Sequence, residues 1–159
     1  MKTQRWIMKS EPSVFSIDDL AARGKRAEPW DGVRNYQARN MLRDGMQRGD
    51  LAFFYHSSCE EPGIAGIMEI ASEGRPDPTA FDPGDHHYDP DSDPARPRWY
   101  LVDVRFGRRL KRLIPLEELR RHKALTGMQL LKRGNRLSVT PVSKKHWDYI
   151  LKLEKKDRR

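Results

Sequence analysis

Three groupings of side chains in this sequence have the type and spacing to do chemistry. Asp89, Asp91 and Asp93 carry the alternating spacing of a calcium loop. Pro94 stands where such a loop needs its sixth-position glycine, and no bidentate glutamate occupies the twelfth position. Turn-forming Asp-Pro steps account for the run better. His86 and His87 lie near Asp82 and Asp85, the residue types that ligate transition metals. Adjacent histidines point in different directions, however, and no cysteine or spaced Glu–His pair completes a ligand set. His56 and Cys59 are three residues apart at the end of an apolar run. An activated thiol would need a third group to orient the imidazole, and none is in view, so Cys59 reads as a bystander. There is no phosphate-cradling glycine loop and no Gly-x-Ser-x-Gly elbow. The expectation is a protein with no catalytic residues, no metal and no cofactor.

What remains is aromatic, polar and basic. Trp30 precedes a helix start, Trp99 opens a strand after a proline-rich stretch, and Tyr55-His56-Ser57-Ser58 ends another strand. Aromatic rings at element boundaries can line a cavity and stack on a flat ligand. They can equally be ordinary core. Charge points to the ligand class: residues 105–159 hold 18 Lys+Arg and 5 Asp+Glu, a net of +13, whereas residues 1–104 hold 13 and 18, a net of −5. A basic third beside an acidic body makes a directional field that steers polyanions to one face, so nucleic acid is the expected partner.

The elements that would position these groups follow from pattern. Residues 5–9, 51–56, 63–71, 99–106 and 137–140 read as strands. Gly63 and Gly66 within the third imply a bulge or a close backbone approach. Ser16 caps a short helix with aspartates in its first turn. Asp31 is the expected cap of a helix near 33–44, Pro115 opens another helix, and Ser143 caps a last one around Trp147, Ile150, Leu151 and Leu153. Residues 72–98 hold six of the 11 prolines, which forbids regular pairing and predicts a long ordered loop or lid. Most gaps between strands are too short for βαβ crossovers, so the fold class is α+β, a small mixed β-barrel with short flanking helices.

Five stretches together resemble the EVE domain family, a branch of the PUA-like superfamily related to YTH domains. They are Trp6 to Pro12, Trp30 to Asn40, Gly49 to Ser57, Gly63 to Gly66 and Asp93 to Trp99; Leu130 to Val139 looks like the family's C-terminal signature. The likeness runs from about residue 4 to 153. It implies a PUA-like barrel and a pocket for a chemically modified base, modified cytosine or methylated adenine, in DNA or RNA. By that implication Trp30 and Trp99 are stacking walls, Lys9 and Ser10 edge the pocket, and Asn35 bonds the base edge. Tyr55, His56 and Ser57 would close the far side. Arg34 and Arg39 are the implied phosphate contacts of the Trp30 segment, and Arg108, Arg109, Lys111 and Arg112 supply the basic field.

The resulting expectation is one domain over residues 1–155 with a charged end at 156–159, made and kept in the cytoplasm. It would read modified bases by extrusion into an aromatic pocket, without catalysis. The alternatives are an enzyme acting on modified nucleobases or nucleotides, and a protein-interaction module with a vestigial pocket. Oligomeric state leaves no trace in the sequence.

Overall fold

In the computed structural model, residues 2–156 are described. Of the charged end expected at 156–159, all but Lys156 lies outside the described residues. The chain runs β1 (Arg5–Ser10), α1 (Ile17–Ala21), β2 (Glu28–Pro29), α2 (Tyr36–Asn40), β3 (Leu51–His56) and β4 (Gly63–Ile70). It continues through β5 (Arg75–Pro76), β6 (Tyr100–Leu101), β7 (Asp103–Pro115), α3 (Leu116–Arg120), β8 (Val139–Val142) and α4 (Lys144–Leu153). The expected α+β architecture is present: a mixed sheet curled into a half-barrel with a few short helices around it. Strand order is β2-β7-β4-β3-β1-β8, so the barrel is open along β2 and β8, while β5 and β6 form a separate two-stranded ribbon.

The sheet is built around the parallel pair β1 and β3, in register from Arg5–Leu51 to Ser10–His56. Both strands read as continuous apolar runs because both faces are covered. Trp6, Met8, Ala52 and Phe54 enter one core with Trp30, Val33, Leu42 and Leu20. Ile7, Phe53 and Tyr55 enter the other with Leu119, Trp147 and Ile150, and Phe53 stacks on Trp147 at 3.8 Å between centroids. The glycines of β4 behave as the pattern predicts: register shifts flank Gly66, where a Cβ would collide with the Ile17 side chain and the Arg108 carbonyl. Helix α1 therefore lies directly on the sheet backbone.

Ser16 caps α1 in a reciprocal box with Asp19. The helix expected near 33–44 is shorter and irregular: α2 is followed by one π-helical turn, Met41–Gly45. Its cap is Asn35, not Asp31, because Asn35 Oδ1 accepts from Ala38 N at 3.0 Å. The strand expected to stop at Phe106 continues to Pro115.

That extension reassigns the basic cluster. Arg108 makes a fork on Glu154 (2.8 and 2.7 Å), and Arg112 makes one on Glu118 (both 2.7 Å) while also donating to the Leu153 and Lys156 carbonyls. Glu118 and Glu154 are almost wholly buried, and the guanidinium beside each holds its carboxyl below the ordinary range. Arg109 pairs with Asp18 at the surface, at 2.7 Å. These arginines dock α3, α4 and α1 onto β7, so the acids of the fold already engage the guanidiniums that were expected to meet phosphate. Of the four residues only Lys111 offers an exposed side chain with no acidic partner among the described residues; its backbone N–H donates to Glu154. Sequence reads the sign of a residue but not the acidic group 46 positions away that neutralises it.

Removing one partner of a buried pair strands the other. We expect Arg112→Ala to lose about 3–5 kcal/mol in urea unfolding. The same substitution at Arg109 should lose about 0–1 kcal/mol, as an exposed pair does. Equal losses at the two positions would contradict this division.

Candidate nucleic-acid interface

The first face of the sheet carries a cavity of about 300 Å³, at the lower end of the volumes that hold small ligands. Its floor is the end of β1, Lys9 and Ser10, and one wall is Glu28, Pro29, Trp30 and Asp31. Val14 and Phe15 form a second side, and Asp85, His86 and His87 from the proline-rich loop form the third.

Each wall is held by a specific contact. Trp30 is anchored by Trp30 N–H donating to the Val102 carbonyl (2.9 Å), and its ring packs edge-to-face on Phe15 and Phe54. Ser10 Oγ donates to the Phe15 carbonyl at 2.6 Å, fixing the turn before α1. Gly32 has φ +81, and a Cβ there would run into the His87 ring, so the loop closes over a position that only glycine can fill. The loop itself is tied down by Asp77, fully buried. It accepts from Gly32 N (2.8 Å), Arg34 Nη1 (3.0 Å), Thr79 N (2.9 Å) and Thr79 Oγ1 (2.6 Å). Burial would raise that carboxyl, but the hydrogen bonds from Thr79, Gly32 and Arg34 outweigh it and hold it below its ordinary value.

The cavity's electrostatics are mixed. Asp31 is open to solvent on one side, yet desolvation of its carboxyl, with the charges of Asp77 and Asp85 nearby, pushes it above the ordinary value. Burial lowers Lys9, whose ammonium lies over the Tyr55 ring at 5.8 Å. A lining with an aromatic ring, an acid that holds its proton more readily than usual and a hydroxyl can stack on a flat heterocycle and bond its edge.

Of the residues expected to form the pocket, the structure gathers Lys9, Ser10 and Trp30. The others serve elsewhere. Trp99 stacks on Tyr36 at 4.9 Å, and its Nε1 donates to Asp89 at 2.7 Å, so it braces the proline-rich loop from behind. Asn35 is the helix cap already described. Tyr55 is on the opposite face, where burial pushes its hydroxyl up to about 12 against the influence of Arg120. His56 Nε2 accepts from Ile17 N at 3.1 Å and pins α1. Ser57 extends the β1–β3 pairing by donating its N–H to the Ser10 carbonyl at 3.0 Å.

Arg34 and Arg39 are likewise internal. Arg34 donates to Asp77, Thr79, the Val33 carbonyl and the His87 carbonyl, and lies over the Trp99 ring. Arg39 donates to the Arg98 carbonyl at 2.7 Å and covers Tyr36.

Reading by residue type overlooked Phe15, Asp31 as a lining group, and the pair His86-His87 as a wall. Phe15 had a signal, an apolar residue just before the Ser16 cap. The histidines had none, since only the fold of the loop brings them to Gly32. Asp85, His86 and His87 do place ligand atoms within 4.8 Å of one another, the grouping that adjacency in sequence argued against.

Comparison with known proteins adds an independent line. The EVE domain model matches residues 4–153. Human thymocyte nuclear protein 1 is 48% identical over 98% of this chain and 76% of its own length. The structure of the human THYN1 protein in complex with 5-methylcytosine-containing DNA superposes with a TM-score of 0.91 at 47% identity, covering 98% of this chain and 100% of that one. The YTH domain of Zygosaccharomyces rouxii MRB1, in complex with N6-methyladenosine RNA, gives a TM-score of 0.56 at 15% identity over 98% and 89% of the chains, a likeness of fold alone. No described helix is long and apolar enough to cross a membrane.

His56 supplies a test of the geometry beside the cavity. Burial lowers its folded-state value from 6.5 against the opposing charge of Asp18, and the neutral ring is the form that can accept from Ile17. Its contribution is complete above 6.5 and is lost as pH falls below that value, since the unfolded chain then binds the proton more readily. Urea unfolding from neutral pH down to about 5 should show declining stability, and His56→Gln should flatten the upper part of that decline. A parent and variant with identical pH profiles would remove His56 from this role.

Proposed function

Since the chain belongs to the EVE domain family, we propose that it binds nucleic acid and reads a modified base extruded into the cavity beside Trp30. The observation that carries this reading is a cavity of base-accommodating size walled by an anchored tryptophan, with Asp31 and Ser10 at its edge. Extruding a base costs a few kcal/mol of unstacking, which a stacking wall and edge hydrogen bonds can offset.

The acid at the edge favours one class of base. A carboxylate accepts from an exocyclic amine and repels a carbonyl, so Asp31 suits the amino edge of cytosine or adenine over thymine or uracil. A carboxyl that keeps its proton can also donate to the neighbouring ring nitrogen. The complex of the human THYN1 protein with 5-methylcytosine-containing DNA directs the choice to a methylated cytosine in DNA. A methyl group filling an apolar edge of the cavity adds about 1 kcal/mol, enough for discrimination of a few-fold.

We read the protein as a binder without chemistry of its own. Among the described residues the one hydroxyl in the lining, Ser10 Oγ, is already committed to the Phe15 carbonyl, Cys59 is outside the lining, and the Nε2 of His56 already bonds Ile17. The curated relatives are named as nuclear proteins, which fits a ligand held with the genome.

The test is fluorescence anisotropy with matched oligonucleotides carrying cytosine or 5-methylcytosine, at one salt concentration. Trp30→Ala should abolish the preference while leaving weak, salt-sensitive binding, a loss of about 1–3 kcal/mol or roughly 5- to 150-fold in Kd. Trp30 also packs in the core, so Trp30→Phe, which keeps a stacking face, should retain part of the preference, and thermal melting checks the fold of both. Asp31→Leu should weaken both oligonucleotides. A preference in Trp30→Ala equal to that of the parent would sink the assignment.

A further inference from the structure

Structure separates basic residues that brace the fold from those left to meet a ligand. The arginines of β7, with Arg34 and Arg39, belong to the first group. The 29 residues from Leu119 to Trp147 are different: they hold eight Lys+Arg and no Asp or Glu, and an acid just outside the stretch, Asp148, pairs with Lys144 at its end. Within them, Lys132, Arg133 and Arg136 are exposed and take part in none of the ion pairs found among the described residues.

Their position follows from strand pairing. Strand β8 runs antiparallel to β1 with Met8 opposite Val139, and Lys9 N donates to the Ser138 carbonyl at 2.8 Å. The chain just before Ser138 is therefore delivered to the end of β1 that forms the cavity floor. That chain is residues 132–137, which lead into the strand that flanks the cavity floor.

The loop is built rather than loose. Asn135 Nδ2 donates to the Gln129 carbonyl (2.8 Å), Asn135 Oδ1 accepts from Leu137 N (3.0 Å), and Asn135 N donates to the Lys132 carbonyl (3.1 Å). Leu137 and Leu130 are buried on either side. One asparagine thus closes a tight turn between two core anchors and leaves three cationic side chains facing solvent. Behind it, Lys132 joins Arg120 and His122 in lining a shallow groove of about 230 Å³. Arg120 in turn is close enough to lower the Tyr55 hydroxyl, and Tyr55 carries Lys9 over its ring.

We infer that the turn at residues 132–136 is the phosphate-binding site of this protein, with Lys132, Arg133 and Arg136 contacting the backbone of the strand whose base enters the cavity. The ligand is the phosphodiester backbone, read by charge and without sequence preference. This inference rests on the base-reading proposed above for its geometry, though its test does not depend on it.

The experiment compares the full chain with two variants, one with Lys132, Arg133 and Arg136 changed to alanine, the other, on β7, with Arg109→Ala, whose guanidinium pairs with Asp18. Kd for duplex oligonucleotides with cytosine or 5-methylcytosine is measured across a salt series. Each phosphate contact contributes about 0.9 to the slope of log K against log salt, so the triple variant should lose roughly 2–3 from that slope. It should weaken both oligonucleotides by the same factor, and the β7 variant should stay near the parent. Restoring charge with Lys132→Arg, Arg133→Lys and Arg136→Lys should recover the slope. A triple variant with the parent's slope overturns the phosphate site and leaves the base-reading standing. A parent indifferent to methylation, with a slope still lost in the triple variant, overturns the base-reading and leaves the phosphate site. Because Asn135 is untouched, the variants should melt with the parent; a triple variant that melts early and whose charge-restored form fails to recover the slope also counts against the site.

Discussion

The buried carboxylate of Asp77 is the constraint on which the candidate interface depends. It accepts four hydrogen bonds from three residues, two of which, Gly32 and Arg34, belong to the Trp30 segment, while Thr79 belongs to the proline-rich loop. Arg34 then carries the connection onward to the His87 carbonyl. The network matters because the loop's prolines remove ladder donors and its strand pairing among the described residues is limited to the two-residue strands β5 and β6 and a bridge between Asp93 and Arg96, with Trp99 bracing it through Asp89. One wall of the cavity is therefore supported by an ion pair rather than by a sheet. A charge with several satisfied hydrogen bonds in a dry setting is costly to leave partly paired, so the two walls move together or not at all.

The same logic divides the positive charge of the chain. Its C-terminal third carries a net of +13, yet much of that charge on β7 is directed inward. Arg108 and Arg112 meet buried glutamates near the end of α4 and on α3, and their planar forks suit this role because each can satisfy both carboxylate oxygens at once. The field that steers a polyanion is the remainder. It includes Lys132, Arg133 and Arg136, which lie between α3 and α4, are exposed and take part in none of the ion pairs found among the described residues.

Asp31 illustrates how position changes what an ordinary residue can do. At the sequence level an aspartate after tryptophan and before glycine suits a helix cap. In the fold the cap is Asn35, and Asp31 is left at a cavity edge, partly desolvated and facing two other carboxylates. Its raised tendency to hold a proton follows from that company.

Periodicity alone located β1, β3, β4, the start of β7 and the Ser16 and Ser143 caps, because both cores lie against one sheet and continuous apolar runs mark strands covered on two sides. Composition marked the proline-rich loop and the charge asymmetry, and the motif pattern led to the right family. What sequence could not settle was the destination of polar side chains. Trp99, Asn35, Tyr55, His56, Arg34 and Arg112 have the residue types of a binding site, and each is engaged by a partner that the fold supplies. Those partners are Asp89, Ala38, the second core, Ile17, Asp77 and Glu118. Hydrogen bonds and ion pairs are short-ranged, and the His56–Ile17 and Arg34–Asp77 contacts link residues 39 and 43 positions apart, while even the nearer pairs form only once the chain is folded. Which donors remain for a ligand is therefore decided only when tertiary structure has satisfied the rest.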